Sequence, residues 1–192
     1  MDRDVPNRLV ALDIETSGVD EDEHSLLSLG MVHPRTGEEW YAEIHYPGTI
    51  EWEDQAMAIN DIEWGDINDP ENPTIDEADL IAAEWLKETT GIETDDHIAI
   101  GFNVGGFDMQ FVEEQMPRLD ALFDYEVREL NTALSIVDYV EDEPEKTHKR
   151  FYKDITSNER EHNALWDARQ AVELLVCVVN HLGNSEWSTP KA

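Results

Sequence analysis

The stretch Leu9-Val10-Ala11-Leu12-Asp13-Ile14-Glu15-Thr16-Ser17-Gly18 constrains this chain more than any other. Leu9, Val10, Ala11, Leu12 and Ile14 form the apolar body of a buried β-strand, predicted over about residues 8–14. Side chains two apart on a strand share a face, so Asp13 and Glu15 look the same way. Gly18 lets the chain turn after them. Two like charges close together in an apolar run raise each other's pKa. A divalent cation removes that cost. The plain alternative is a strand end that reaches solvent, with both acids hydrated.

A chain of 192 residues, 40% hydrophobic and 30% charged, suits one domain with a substantial core. We expect a single domain over residues 1–192, with its core at about 8–182. No apolar run approaches the ~20 residues of a membrane span, and Met1-Asp2-Arg3-Asp4 lacks the pattern of a secretory signal. Cys177, the only cysteine, excludes an internal disulfide and reads as a small core residue. The expected setting is therefore a reducing cytoplasm, or a host cytoplasm if the protein is viral. The net charge of −32, from 45 acids against 13 bases, argues against a general polyanion binder with a basic face. Contact with nucleic acid must be local or metal-assisted. Only five bases are lysines, and the acids are spread along the chain. Such a surface suits a high-salt cytoplasm, of a halophilic host or its virus, or belongs simply to an acidic protein.

Strand two is predicted at Ser25 to Val32 and strand three at Glu39 to Tyr46. Short turns between the first three strands imply an antiparallel meander. A short helix is expected at Trp52 to Ile59 and a loop at Asp66 to Pro73. Thr74 with Glu77 makes a capping-box pattern. It opens a helix with Ile75, Ala78, Ile81, Ala82, Trp85 and Leu86 on one face, stopped by Gly91. Strand four, Ile98 to Phe102, is reached through a helix and should lie parallel to its neighbour. A helix from Phe107 to Met116, strand five at Tyr125 to Leu130 and a helix from Thr132 to Tyr139 follow. After an acidic break and a basic island (Lys146 to Lys153), the last helix covers about 163–182. It buries Ala164, Leu165, Ala168, Ala171, Val172, Leu175 and Val179. The order implies an α/β domain with a mixed sheet.

Two further segments carry chemistry. In Gly101-Phe102-Asn103-Val104-Gly105-Gly106-Phe107-Asp108, the aspartate opens a helix, where the helix dipole stabilises it and where it is also an ordinary capping residue. Asn103 fits a plain turn. In His162-Asn163-Ala164-Leu165-Trp166-Asp167-Ala168, Asn163 reads as an N-cap with His162 just outside the helix. Asp167 lies on an apolar face beside small alanines and needs a partner there. The acids of strand one, with an ion between, are a candidate. Four carboxylates (Asp13, Glu15, Asp108, Asp167) and one histidine suit Mg²⁺ or Mn²⁺. Two such ions about 4 Å apart stabilise the attacking and leaving oxygens of a phosphoryl displacement. His162 would be the general base.

These segments, Asp13 to Gly18, Asn103 to Asp108 and His162 to Asp167, resemble the three exonuclease motifs of the DEDD superfamily. The HxAxxD form of the third resembles its DEDDh (DnaQ-like) branch. The resemblance covers about residues 8–182. It implies a ribonuclease-H-like fold, a mixed five-stranded sheet flanked by helices. It also implies a metal-dependent 3′–5′ exonuclease acting on single-stranded DNA or short RNA. Carried over, it implies that Asp13, Glu15 and Asp167 hold the first metal, that Asp13 shares the second with help from Asp108, and that His162 deprotonates the water. Thr16 would contact the 3′-terminal nucleotide, and Asn103 and Phe107 match the segment before the second-motif acid. Ala58 to Ile62 loosely resembles a segment that stacks near the terminal base. Family members often carry an aspartate where this chain has Asn131, and no function is drawn from that position. Lys149 and Arg150, in the basic island, fit a clamp for the phosphates of the incoming strand or a solvated loop. Trp52, Trp64, Trp85 and Trp166 are candidates to stack bases, the last two being better placed for the core. The expected partners are 3′ ends of single strands and, in a proofreading role, a polymerase; no membrane is expected. The alternative is a non-catalytic, nucleic-acid-binding or polymerase-associated module on the same fold. Oligomeric state is left open.

Overall fold

In the computed structural model, which describes residues 6–60, 62–141 and 163–183, strand β1 (Leu9–Thr16) occupies the middle of a five-stranded sheet. β2 (Leu26–Val32) pairs with it antiparallel, and β3 (Glu39–Glu43) pairs antiparallel with β2 at the edge. On its other side β1 meets β4 (His97–Gly101) in parallel, and β5 (Phe123–Glu129) lies parallel to β4 at the far edge. The order is β3-β2-β1-β4-β5. It is the mixed sheet expected from a meander followed by helical crossovers.

The two-residue alternation of β1 separates the faces. Val10, Leu12 and Ile14 join Leu29 and Met31 in a core covered by α3 (Ile75–Thr90), α4 (Asp108–Gln115) and α5 (Pro117–Asp120). Before α3 come two short helices, α1 (Asp54–Asn60) and α2 (Trp64–Ile67). Ala11 points the other way. With Val32 and Ile100 it packs under α6 (Leu130–Glu141) and α7 (Ala164–Gly183) through Leu130, Leu134, Ala168, Ala171 and Val172. Asp13 and Glu15 share the parity of Ala11, so they lie on the face that α7 covers. Every residue of β2 is buried because helices cover both faces of the sheet there.

Several boundaries differ from expectation for identifiable reasons. β1 runs two residues further than predicted and so carries Glu15 within the strand. β3 ends at Glu43 because the chain leaves for the 67–73 loop: His45 N–H donates to the Pro73 carbonyl (2.8 Å) and Tyr46 N–H to that of Ile67 (2.9 Å). The predicted loop at 66–73 begins inside α2. β5 starts at Phe123, and Leu130 already belongs to the following helix. The Thr74–Glu77 capping box and the left-handed Gly91 (φ 70°) bound α3 as read. Ile81, however, is 47% exposed, while Asp79 is buried. The carboxylate of Asp79 accepts the backbone N–H groups of Arg118 and Leu119 (3.0 and 2.8 Å) and the Arg118 guanidinium (2.9 Å). Those bonds turn the helix so that Asp79 and Ala83 face inward in place of Ile81. In α7 the buried residues include Leu174, Val176 and Val178, whereas Leu165, Leu175 and Val179 are only partly buried. The basic island and His162 lie outside the described residues. Among the described residues no helix is long and apolar enough to cross a membrane.

Candidate active site

β1 outruns its parallel neighbour: the β1–β4 register ends at Ala11 opposite Ile100. Beyond that point the strand edge needs another partner. Asp108, the first residue of α4 and buried, supplies it, its Oδ1 accepting the Ile14 N–H at 3.0 Å. On the other side the strand stays paired, Asp13 lying opposite Gly30 and Glu15 opposite Ser28. In β3, Tyr41 faces Gly30 and Glu43 faces Ser28.

Gly30 determines how close α7 comes. A Cβ there would lie 2.3 Å from the Leu165 nitrogen and 2.4 Å from the Ala164 carbonyl carbon, so only glycine lets the helix backbone rest on the strand. Asn163 caps the helix, its Oδ1 accepting the Trp166 N–H at 3.2 Å. The Asn163 amide also donates to the Tyr41 hydroxyl (3.3 Å), which donates to Glu43 (3.0 Å). Burial and the Glu43 carboxylate push the Tyr41 phenol up to about 12, so it stays a donor at neutral pH. One turn on, Arg169 bonds Glu39 through two nitrogens, one at 2.7 Å. These contacts seat the first turns of α7 over β2 and β3, directly beside Asp13.

Asp13, Glu15 and Asp167 thereby converge, one carboxylate oxygen from each lying within 4.8 Å of the others. Burial first, then the charges of Asp108, Asp167 and Glu15, hold the Asp13 carboxyl well above its ordinary range. Glu15 is pushed up to about 8 by burial and then by Asp167 and Asp108. Asp108 is also pushed up to about 8, by burial and the Glu129 and Asp167 charges, against the bond from Ile14 that favours its ionised form. Asp108 lies outside the group of three yet within its electrostatic reach. Hard oxygen donors, converging and mutually repelling, are the donor set that a divalent cation satisfies.

Thr16 is buried, with its hydroxyl donating to the Gly18 carbonyl at 2.6 Å. Asn103 is exposed in a left-handed turn (φ 59°), and Gly106 N–H donates to its carbonyl at 3.0 Å. Phe107 packs against Phe111, ring centres 5.2 Å apart. His162, Lys149 and Arg150 lie outside the described residues. No sequence motif marks Glu129. It ends β5, accepts the Gly105 N–H at 2.9 Å and adds its charge to Asp108. Its relevance depends on β5 lying beside β4, which only the strand order reveals.

The raised carboxyls have a consequence for stability. Their folded pKa values exceed the unfolded ones near 4, so the metal-free fold keeps their full contribution below that pH and loses it as pH rises toward 8. His33 and His97, buried and held below the ordinary histidine range by burial, act oppositely, losing stability as pH falls below about 6.5. The difference made by metal isolates the acids. The rise in melting temperature on adding Mn²⁺ should grow from pH 5 to pH 8, as measured by thermal scans with and without EDTA. A pH-independent rise would contradict the assignment.

The chain aligns in structure with exonuclease I of E. coli in a zinc-bound complex with single-stranded DNA (TM-score 0.63, 13% identity), covering 92% of this chain and 41% of that one. Exonuclease I of Methylocaldum szegediense gives a TM-score of 0.66 at 15% identity, with coverage of 92% and 41%. The E. coli enzyme with a dT13 oligonucleotide gives 0.65 at 12%, with coverage of 92% and 42%. This chain thus spans about two fifths of the length of those proteins. Sheet order and helical layers define the ribonuclease-H-like, DnaQ-like nuclease fold, and the acid cluster sits at its strand end. No curated protein matches the sequence. A family model does, over residues 8–179: the chain belongs to the 3′-5′ exoribonuclease Rv2179c-like domain family, and so to the 3′–5′ exonucleases.

Proposed function

We propose that this chain is one exonuclease domain of the DEDDh type, with its core at about 8–182, that removes nucleotides singly from the 3′ end of a single strand. The observation that carries the reading is the meeting of Asp13 and Glu15 from β1 with Asp167 from α7. Asp13, Glu15 and Asp167 would hold one Mg²⁺ or Mn²⁺, and Asp13 with Asp108 a second. When bound, such ions supply charge stabilisation to the oxygens that attack and leave. His162 takes the proton of the attacking water. Asp108 fixes the free edge of β1 and so the direction in which Asp13 points. Thr16 and the backbone after Glu15 receive the terminal nucleotide, Asn103 and Phe107 border it, and Lys149 and Arg150 steady the incoming phosphates.

The family is named for exoribonucleases, while the E. coli exonuclease I structures are complexes with single-stranded DNA or a dT13 oligonucleotide. RNA and DNA both belong in the test. Oligomers of each, labelled at the 5′ end, should shorten one nucleotide at a time with Mn²⁺, release mononucleotides and persist when the 3′ hydroxyl is blocked. Internal cleavage, or degradation of blocked strands, would contradict the proposal. Binding without turnover in any metal would favour the non-catalytic module.

A further inference from the structure

Just past Glu15 the chain is strapped to the segment that contains α1. The Glu53 N–H donates to the Ser17 carbonyl (2.7 Å), the Ser17 hydroxyl to the Glu51 carbonyl (2.6 Å), and the Asn60 amide to the Thr16 carbonyl (3.0 Å). Trp52 lies between two of these tied residues. Its ring meets Trp64 edge to face, centres 5.1 Å apart at 72°. Both indoles stay open to solvent, Trp52 at 45% and Trp64 at 39%. Ile59 and Val19, on the same strapped segments, are exposed as well. Of the eight large hydrophobic residues exposed among the described residues, these four belong to the segments at the acid-bearing end of β1. The rest sit on α3, β5 and α6.

An exposed aromatic pair beside an acidic centre has a physical reading. With a net charge of −32, most of this surface repels a phosphate backbone. The bases of a single strand are uncharged, and their π-faces stack on aromatic rings whatever the sequence. Stacking also survives high salt, which weakens phosphate contacts. A duplex hides its base faces, so the pair selects an unpaired strand.

We infer that Trp52 and Trp64 form a stacking platform for the unpaired bases of the strand whose 3′ end reaches Asp13, Glu15 and Asp167. This rests on the proposed reading of the acid cluster as a 3′-end site. The platform grips the strand behind its terminal nucleotide and leaves the scissile phosphate to the acids and their cations.

The test compares two decathymidylates, one complete and one with an intact 3′-terminal nucleotide followed by three abasic positions. For the unaltered protein kcat/KM should favour the complete strand about tenfold or more. In W52A and W64A that ratio should fall toward one, W52F should keep most of it, and the loss should be the same at low and high KCl. A ratio unchanged by either alanine, or near one in the unaltered protein, overturns the platform. If neither strand is hydrolysed, the reading of the acid site fails instead. Tryptophan fluorescence, titrated with the complete strand in Ca²⁺, then still decides. Quenching in the unaltered protein that W52A and W64A both lose supports the platform, and equal quenching in all three, or none in any, overturns it.

Discussion

Asp13→Asn should abolish 3′-end hydrolysis while raising the melting temperature of the metal-free protein. Asparagine has nearly the same shape, so β1 and its pairing with Gly30 survive. What disappears is a carboxyl whose ionisation is opposed by burial and then by Asp108, Asp167 and Glu15. Relief of about 1 kcal/mol raises the melting temperature of a domain this size by about 2–4 °C. The cost falls on the cation. Loss of an outer partner of a metal site typically costs about 10–100-fold in affinity or activity, and loss of a shared ligand should exceed it, by about 1,000-fold or more. The two readouts, EDTA thermal scans and single-turnover nucleotide release, should move in opposite directions. A merely structural aspartate would move them together.

Gly30→Ala should damage the site without touching any acid. The added methyl would stand 2.3 Å from the Leu165 nitrogen, against the ~3.5 Å of an ordinary contact. The start of α7 must then rise by about 1 Å, and Asp167, only two residues beyond Leu165, rises with it. Overpacking of this kind costs about 1–3 kcal/mol, and a misplacement of about 1 Å at a reacting centre costs about 100-fold in rate. Gly91→Ala is the control. Gly91 has φ 70°, so alanine there is strained, but it caps α3 far along the chain from the acids. Both variants should melt lower. Only Gly30→Ala should lose metal-dependent turnover at a temperature where it is fully folded, and it should need more Mn²⁺ for half-maximal rate.

Much of this arrangement is legible in residue patterns. The alternation of Val10, Leu12 and Ile14 with Ala11, Asp13 and Glu15 separates a core face from an acid face. Asn163 ahead of an alanine-rich helix marks where Asp167 begins its approach, and Thr74 with Glu77 marks the start of α3. Features that depend on what lies across a strand or helix are not legible. Gly30 looks like any glycine in an apolar run until α7 rests on it. Glu129 gains its influence on Asp108 only because β5 lies beside β4. Ile81 is displaced by Asp79, whose partners at Arg118 and Leu119 lie about forty residues away.

If acids from β1 and α7 form one cation site, calorimetric titration with Mn²⁺ at pH 7, in two buffers of different ionisation enthalpy, should show saturable binding. That binding should release protons from the raised carboxyls and be lost when Asp167 is replaced by Asn. Binding that Asp167→Asn leaves intact, or no binding by the unaltered protein, would contradict a shared site.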